Sequence, residues 1–312
     1  MKINRANFLV VLALGALSAS SLAKAQAAPA AQAPPRDYSK VEIKTNKITD
    51  NFYTLDGDGG TIGVLIGPDG VFMVDSQRAQ LTEKIAAAVK QLTSSPIRFL
   101  VLTHDHADHT GGAENFGKMG VTIIASNEVR KRMAEGTAMP GLPPAPAAAL
   151  ATITIEGRTT LQMDGETIQL IPIPHAHTDG DTLVRFPNNN VIMCGDFFRS
   201  LGYPNIDRPG GGTLGGMIEG LTYLASVAGP DTKIIPGHGS IVTRDAVLAQ
   251  RDLIVNVRDR IAQLAESGKS EQEVLAAHVT ADYDAKVPQA SQTADRFVSQ
   301  VYAEVKSRVG GQ

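Results

Sequence analysis

Four metal-type side chains, His104, His106, Asp108 and His109, crowd into six positions directly after the apolar run Phe99-Leu100-Val101-Leu102. A short loop holds so many ligand groups together only around a metal ion. Three further segments carry the same residue types: Pro174-His175-Ala176-His177-Thr178-Asp179-Gly180-Asp181, Cys194-Gly195-Asp196 and Pro236-Gly237-His238-Gly239. Six of the seven His therefore fall at strand-to-loop junctions, where open sheets place ligand and catalytic groups. The seventh, His278, stands alone on an expected C-terminal helix and reads as structural or exposed. Imidazole and carboxylate ligands without thiolate suit Zn²⁺ and, less selectively, Fe or Mn. Cys194 lies inside a buried-type strand and reads as a core residue. His175 and His177 alternate by two, so both can face the same side of an extended segment.

The elements that must position these groups are legible from their periods. Short β-type runs at 41–48, 51–55, 61–66 and 71–75 are separated by Asp56-Gly57, Gly59-Gly60 and Pro68-Asp69-Gly70. Leu81, Ile85, Ala88, Val89 and Leu92 recur at helical spacing. The run 97–102 is a buried-type strand that delivers the His cluster, 121–125 is another strand, and Ser126 caps a helix through Met133. Residues 136–149 form a long surface loop. A second β-rich set follows at 152–155, 159–163, 166–172, 182–186, 191–194 and 233–235. Helices are expected at 217–227 behind the Gly-rich run 209–216, and at 245–265, 272–278 and 294–305. The Gly-rich run lacks the ending of a phosphate loop and reads as a flexible wall of the active-site groove.

With 312 residues and 43% hydrophobic content, the chain can bury a sizeable core. Charge is nearly balanced at a net −3 and Trp is absent, so neither a basic face nor a base-stacking platform supports nucleic-acid binding. Lys2 and Arg5, the apolar stretch Phe8 to Leu17 and the Ala23-Lys24-Ala25 site read as a cleaved export signal over residues 1–25. An Ala/Pro-rich tether follows at 26–40, and the folded domain is expected over 41–312. The apolar stretch is too short to span a bilayer, so no stable membrane anchor is expected after cleavage. One Cys allows no intramolecular disulfide, which fits a bacterial periplasm or secretion. Nothing in the sequence speaks to oligomeric state.

In motif order, residues 41 to 245 resemble the metallo-β-lactamase superfamily of metallohydrolases, on the H-x-H-x-D-H, A-H-T-D-G-D, G-D and P-G-H-G segments. The resemblance implies an α/β fold, a four-layer αβ/βα sandwich made as one fused domain. It implies that His104, His106 and His177 bind a first metal, that Asp108, His109 and His238 bind a second, and that Asp196 bridges both. The family's ligand directly precedes Thr, which favours His177 and leaves His175 as a pocket-lining or supporting residue. Asp75 resembles the family's carboxylate that supports the ligand loop. Two Zn²⁺ bridged by a carboxylate and a water would bring the water towards neutral pKa and polarise a carbonyl. Asp108 would orient that nucleophile or shuttle its proton.

These expectations describe an exported dinuclear hydrolase that uses a metal-bridging hydroxide on a small ester, thioester, lactone or amide. A bridging Asp at position 196 resembles the broad hydrolase branches, since the lactamase branches carry Cys or a non-ligand there. A β-lactamase of modest activity remains one alternative, and a metal-stabilised binding protein without turnover is another. Arg199, Tyr203 and Asn205, downstream of Asp196, are candidate contacts to a small-molecule substrate.

Overall fold

A parallel strand with apolar residues on both faces needs a covering layer on each side. The run Gly70-Val71-Phe72-Met73-Val74, buried at every position, is such a strand. A computed structural model describes residues 36–136 and 142–309. The expected export signal lies outside the described residues, as do the tether up to residue 35 and positions 137–141 of the expected surface loop.

Among the described residues, twelve strands form two sheets. The first holds β1 (Lys44–Lys47), β2 (Phe52–Asp56), β3 (Ile62–Gly67), β4 (Gly70–Val74), β5 (Ile97–Val101), β6 (Thr122–Ser126) and β7 (Ile153–Ile155), side by side in chain order. Its first four strands run antiparallel, and β4 to β7 are parallel. The second sheet holds β8 (Thr159–Met163), β9 (Glu166–Pro172), β10 (Thr182–Phe186), β11 (Val191–Met193) and β12 (Lys233–Ile235), with only β11 and β12 parallel.

Parallel neighbours need crossovers, and these supply the outer layers. α1 (Thr82–Leu92), α2 (Ala107–Thr110), α3 (Ala113–Lys118) and α4 (Asn127–Glu135) connect strands of the first sheet. α5 (Leu214–Val227), α6 (Arg244–Glu266), α7 (Glu271–Ala276), α8 (Ala281–Asp284) and α9 (Ala290–Val309) belong with the second. Alternation sorts the core into three layers. Val71 and Met73 pack with Ile85 and Val89 of α1, whereas Phe72 and Val74 meet Val184 and Phe186 of the other sheet. Leu183, Ile192 and Ile234 point outward to Leu221, Ile254 and Val301 of α5, α6 and α9. Between the sheets the Phe52 and Phe72 rings lie 4.7 and 6.1 Å from Phe186. Truncating such a ring to Ala costs about 3–5 kcal/mol. The architecture is the four-layer αβ/βα sandwich expected from the sequence.

Local differences have physical causes. Order begins before residue 41, because Asp37 caps a 3₁₀ turn at Tyr38–Lys40 and the Lys84 ammonium donates to the carbonyls of Tyr38, Ser39 and Val41. α5 starts at Leu214 rather than 217, capped by the Thr213 hydroxyl, which accepts from the Gly216 amide. A side chain at Gly216 would meet the His175 carbonyl at 2.0 Å, so the glycines let this helix close on the ligand segment. They pack as a tight abutment and not as a loose wall. α7 ends at Ala276, leaving His278 exposed beyond it with a left-handed backbone (φ 47°). α2 and α3 carry no apolar period, because ligands and glycines occupy those positions.

Candidate metal centre

All the ligand-type segments leave the C-terminal edges of neighbouring strands or the turn between β9 and β10. Asp75 directly follows β4 and β5 leads into His104, while Asp196 sits in the 3₁₀ turn Gly195–Phe197 after β11 and His238 follows β12. The His177 turn is closed on itself, since Asp181 accepts from the backbone amides of His177 and Thr178 and from the Thr178 hydroxyl. It is also fastened outward, by the Ser126 hydroxyl donating to the Gly180 carbonyl and by the Arg132 guanidinium gripping Asp179 at 2.5 and 2.7 Å.

Three groups of ligand atoms each lie within 4.8 Å of one another: His104, His106 and His177; His104, His109 and Asp196; Asp108, His109 and His238. The seven residues named from the sequence as ligands are thus brought to one place. One ring nitrogen of each of four imidazoles is engaged outside the cluster. His104 Nδ1 bonds the Thr103 hydroxyl (3.1 Å), His106 Nε2 bonds Asp207 (3.0 Å), His109 Nδ1 bonds Asp75 (2.7 Å) and His177 Nδ1 bonds the Asn205 carbonyl (2.7 Å). The carboxylate and carbonyl partners only accept, so each such ring donates there and turns a lone pair inward. His106 Nδ1 and His177 Nε2 then face each other at 3.2 Å. His104 Nε2 and Asp196 Oδ1 are buried without a hydrogen-bond partner. Converging lone pairs and orphaned buried acceptors are costly alone, and a cation at their focus satisfies all of them. The residues fit a metal.

Charges in the site follow the same geometry. Burial pushes His104 well below its ordinary value, reinforced by His109, His177 and His106, and burial pushes His177 down to about 4. Burial also opposes charge on His109, but Asp75 and Asp196 outweigh it and hold this ring well above its usual range. Asp196 is held well below the carboxylate range against its burial by His238, His109 and Arg199. Its Oδ1 stands 3.5 Å from both His109 Nε2 and His238 Nε2, and its Oδ2 stands 4.0 Å from His177 Nε2. Asp108 Oδ2 lies 3.1 Å from His238 Nε2.

Supporting residues leave the ligands little room. Asp75 accepts from the Thr103 amide and hydroxyl, both at 2.8 Å, as well as from His109, so one carboxylate fixes both ends of the His104–His109 loop. A Cβ at Gly60 would strike the His109 ring at 2.1 Å, and one at Gly237 would strike Asp196 Oδ1 at 2.1 Å.

A cleft of about 590 Å³ opens beside His106 and Asp108 and is lined by Asn205, Asp207 and three arginines, Arg78, Arg208 and Arg296. Of the candidate substrate contacts, Asn205 lines this cleft, with its side-chain oxygen accepting from Gln300. Tyr203 does not, and its reading as a substrate contact is corrected. The side chain is fully buried, stacks on Phe297 at 5.6 Å, and donates its hydroxyl to Asp284 at 2.6 Å. Arg199 lies 3.7 Å from Asp196 Oδ2 and borders a separate depression towards α6. His175 is exposed and outside the cluster; its left-handed backbone (φ 58°) turns the ring to donate to the Gly211 carbonyl, so it supports no ligand. Cys194 is buried, donates its thiol to the Ile235 carbonyl, and is pushed well up by burial. Sequence reasoning passed over Asp207. The one available signal is that every ligand imidazole needs an acceptor for its second nitrogen, and spacing alone cannot say which acceptor serves which ring.

Residues 55–253 match the model of the metallo-beta-lactamase superfamily. The 2,4-dinitroanisole O-demethylase subunit alpha of Nocardioides sp. (strain JS1661) is 28% identical over 153 residues, 48% of this chain but only 42% of that relative's length. The beta-lactamase-like protein 2 homolog of Caenorhabditis elegans is 25% identical over 228 residues, covering 71% of this chain and 70% of that protein. A metallo-beta-lactamase from Pontibacter korlensis shares the fold with a TM-score of 0.59 at 19% identity, over 69% of this chain and 100% of that one. With His and Asp groups able to bind metal at the strand ends, the chain belongs to the metallo-beta-lactamase superfamily and is, in its general class, a metal-dependent hydrolase.

Proposed function

We propose that this chain is an exported dinuclear zinc hydrolase acting on a small ester, thioester, lactone or amide. The observation that carries the dinuclear reading is the pair of three-ligand groups, His104/His106/His177 and Asp108/His109/His238, with Asp196 reaching an oxygen towards each. Zinc suits a set of imidazoles and carboxylates, and bound ions would supply an activated water and polarise the substrate carbonyl. The chain's own groups do the rest. Asp108, part-exposed at the cleft floor, holds the proton of the attacking water or passes it on. Asp75, Asp207 and the Asn205 carbonyl hold three rings in one tautomer, and the cleft walls orient the acyl group. Lys2, Arg5 and the apolar stretch before Ala25 support export to the periplasm or medium.

The test is metal analysis and turnover on one preparation. Zinc-loaded protein should hold two ions per chain and hydrolyse members of an ester, thioester and lactone panel, with activity lost on chelation and in Asp108→Asn. Because one relative is named an O-demethylase subunit, the panel should include aryl methyl ethers. Two ions with no turnover on any member would overturn the hydrolase reading, and much less than one ion after reconstitution would overturn the metal centre. A secreted form beginning at Gln26 tests the export signal.

A further inference from the structure

Four arginines outside the cleft, Arg132, Arg251, Arg258 and Arg260, pair with Asp179, Asp252, Asp259 and Asp282 at 2.5–2.7 Å, whereas Arg98, Arg130, Arg158 and Arg185 spend their guanidinium on a backbone carbonyl or a neutral side chain. The three that line the cleft beside the ligand cluster differ. Among the described residues, Arg78, Arg208 and Arg296 form no ion pair, although all three border the same cavity of about 590 Å³. Arg78 Nε is buried with no hydrogen-bond acceptor, and Arg296 has only the Tyr203 carbonyl, at 3.4 Å. The two carboxylates in the cleft wall are already engaged, Asp207 by His106 and Asp108 by His238. Desolvation against the wall, with Arg199 as a like-charged neighbour, pushes the Arg296 guanidinium below its ordinary value. A part-desolvated guanidinium without an acceptor is unfavourable, and three converging on one cavity make an anion site. Cations at the ligand cluster would add to the same field.

We propose that the cleft selects substrates with a second, non-reacting carboxylate, set on Arg78, Arg208 and Arg296 while the scissile acyl group faces the His/Asp cluster. This deepens the hydrolase reading and rests on it for the reaction. The guanidinium fork matches a carboxylate in two parallel bonds, and a cavity of this size takes a small molecule with both ends engaged.

Binding tests the anion site without requiring turnover. Calorimetric titration of zinc-loaded protein should find glutarate, with two carboxylates, binding about tenfold or more tightly than butyrate, with one. The ratio should fall towards one in Arg78→Gln and Arg296→Gln and persist in Arg258→Gln, which removes the same charge from a residue that does not line the cleft. Arg208 is exposed, and its side chain forms no hydrogen bond among the described residues, so Arg208→Gln keeps the test open if either other variant folds poorly. A parallel comparison of p-nitrophenyl butyrate with the monoanionic p-nitrophenyl glutarate should show the same ratio in kcat/KM, lost from the glutarate ester alone. A glutarate-to-butyrate ratio near one in the unaltered protein, or one that survives the three substitutions, overturns the proposal. Absence of ester turnover with the binding ratio intact overturns the hydrolase reading instead.

Discussion

In the first sheet four ligand-type side chains come from one continuous segment, His104 to His109, whereas the second sheet contributes His177, Asp196 and His238 from three separate connections. The continuous half is held from beneath by one neighbour, Asp75, which grips Thr103 and His109 together. Among the described residues, no single side chain anchors the dispersed half in this way. Its spacing comes from the pairing of β9 to β12, from Asp181 closing the His177 turn, and from glycines that let backbone segments touch. Gly212 packs against the His177 carbonyl, where a Cβ would lie 2.1 Å away, and the Gly237 amide donates to the Gly195 carbonyl at 2.7 Å. A loop can concentrate ligands by sequence alone, while ligands drawn from several strands need tertiary contacts to meet.

Six substitutions probe this contrast. Asp196→Ala removes the carboxylate that reaches both ligand groups and should have the largest effect. Metal content after dialysis and turnover should both fall by more than about 100-fold, beyond the 10–100-fold of a supporting residue. A loss confined to that lower range would mean that the two halves bind independently. Gly237→Ala and Gly60→Ala come next, each driving a methyl onto a ligand, Asp196 in the dispersed half and His109 in the continuous one. Overpacking of this kind costs about 1–3 kcal/mol, and denaturant titration with zinc affinity should show both stability and affinity reduced. Unchanged zinc affinity in Gly60→Ala would show that the His104–His109 loop can shift without losing its geometry.

Asp75→Ala should lower zinc affinity by about 10–100-fold. Asp207→Ala should fall at the lower end of that range, because Asp207 supports one ring where Asp75 supports a ring and the loop backbone. Equal losses, read by competition with a chromogenic chelator, would break the idea of a shared anchor in the continuous half. Tyr203→Phe should have the smallest effect. Losing its hydrogen bond to Asp284 should cost about 1 kcal/mol in denaturant unfolding, with KM unchanged on every substrate. A raised KM with stability intact would return Tyr203 to the substrate site.

Much of the fold was legible because its strands obey a period of two between clear turn residues. The expected boundaries of 159–163, 166–172, 182–186 and 233–235 coincide with β8, β9, β10 and β12. Ser126 is the cap of α4, as its place before a helical run implies. The short α2 and α3 were not legible, since ligand and glycine residues replaced the apolar stripe that marks a helix. Tyr203 and Arg199 look alike in sequence, polar residues downstream of Asp196, yet one stacks on Phe297 and the other faces Asp196. Only the placement of α9 separates them.

By itself the sequence determined the residue types, the concentration of ligands between His104 and His109, and the two β-rich halves that carry the remaining ligand motifs. Those are local properties, set by spacing along one segment and by the alternation of apolar residues. Tertiary structure alone decided which nitrogen of each ring faces inward, that Asp207 backs His106 from 101 positions away, and that three arginines without carboxylate partners border one cleft. Each of these depends on groups far apart in the chain meeting within hydrogen-bonding or Coulombic range. No periodicity records such meetings, because they arise only when the two sheets and their helices close around a common core.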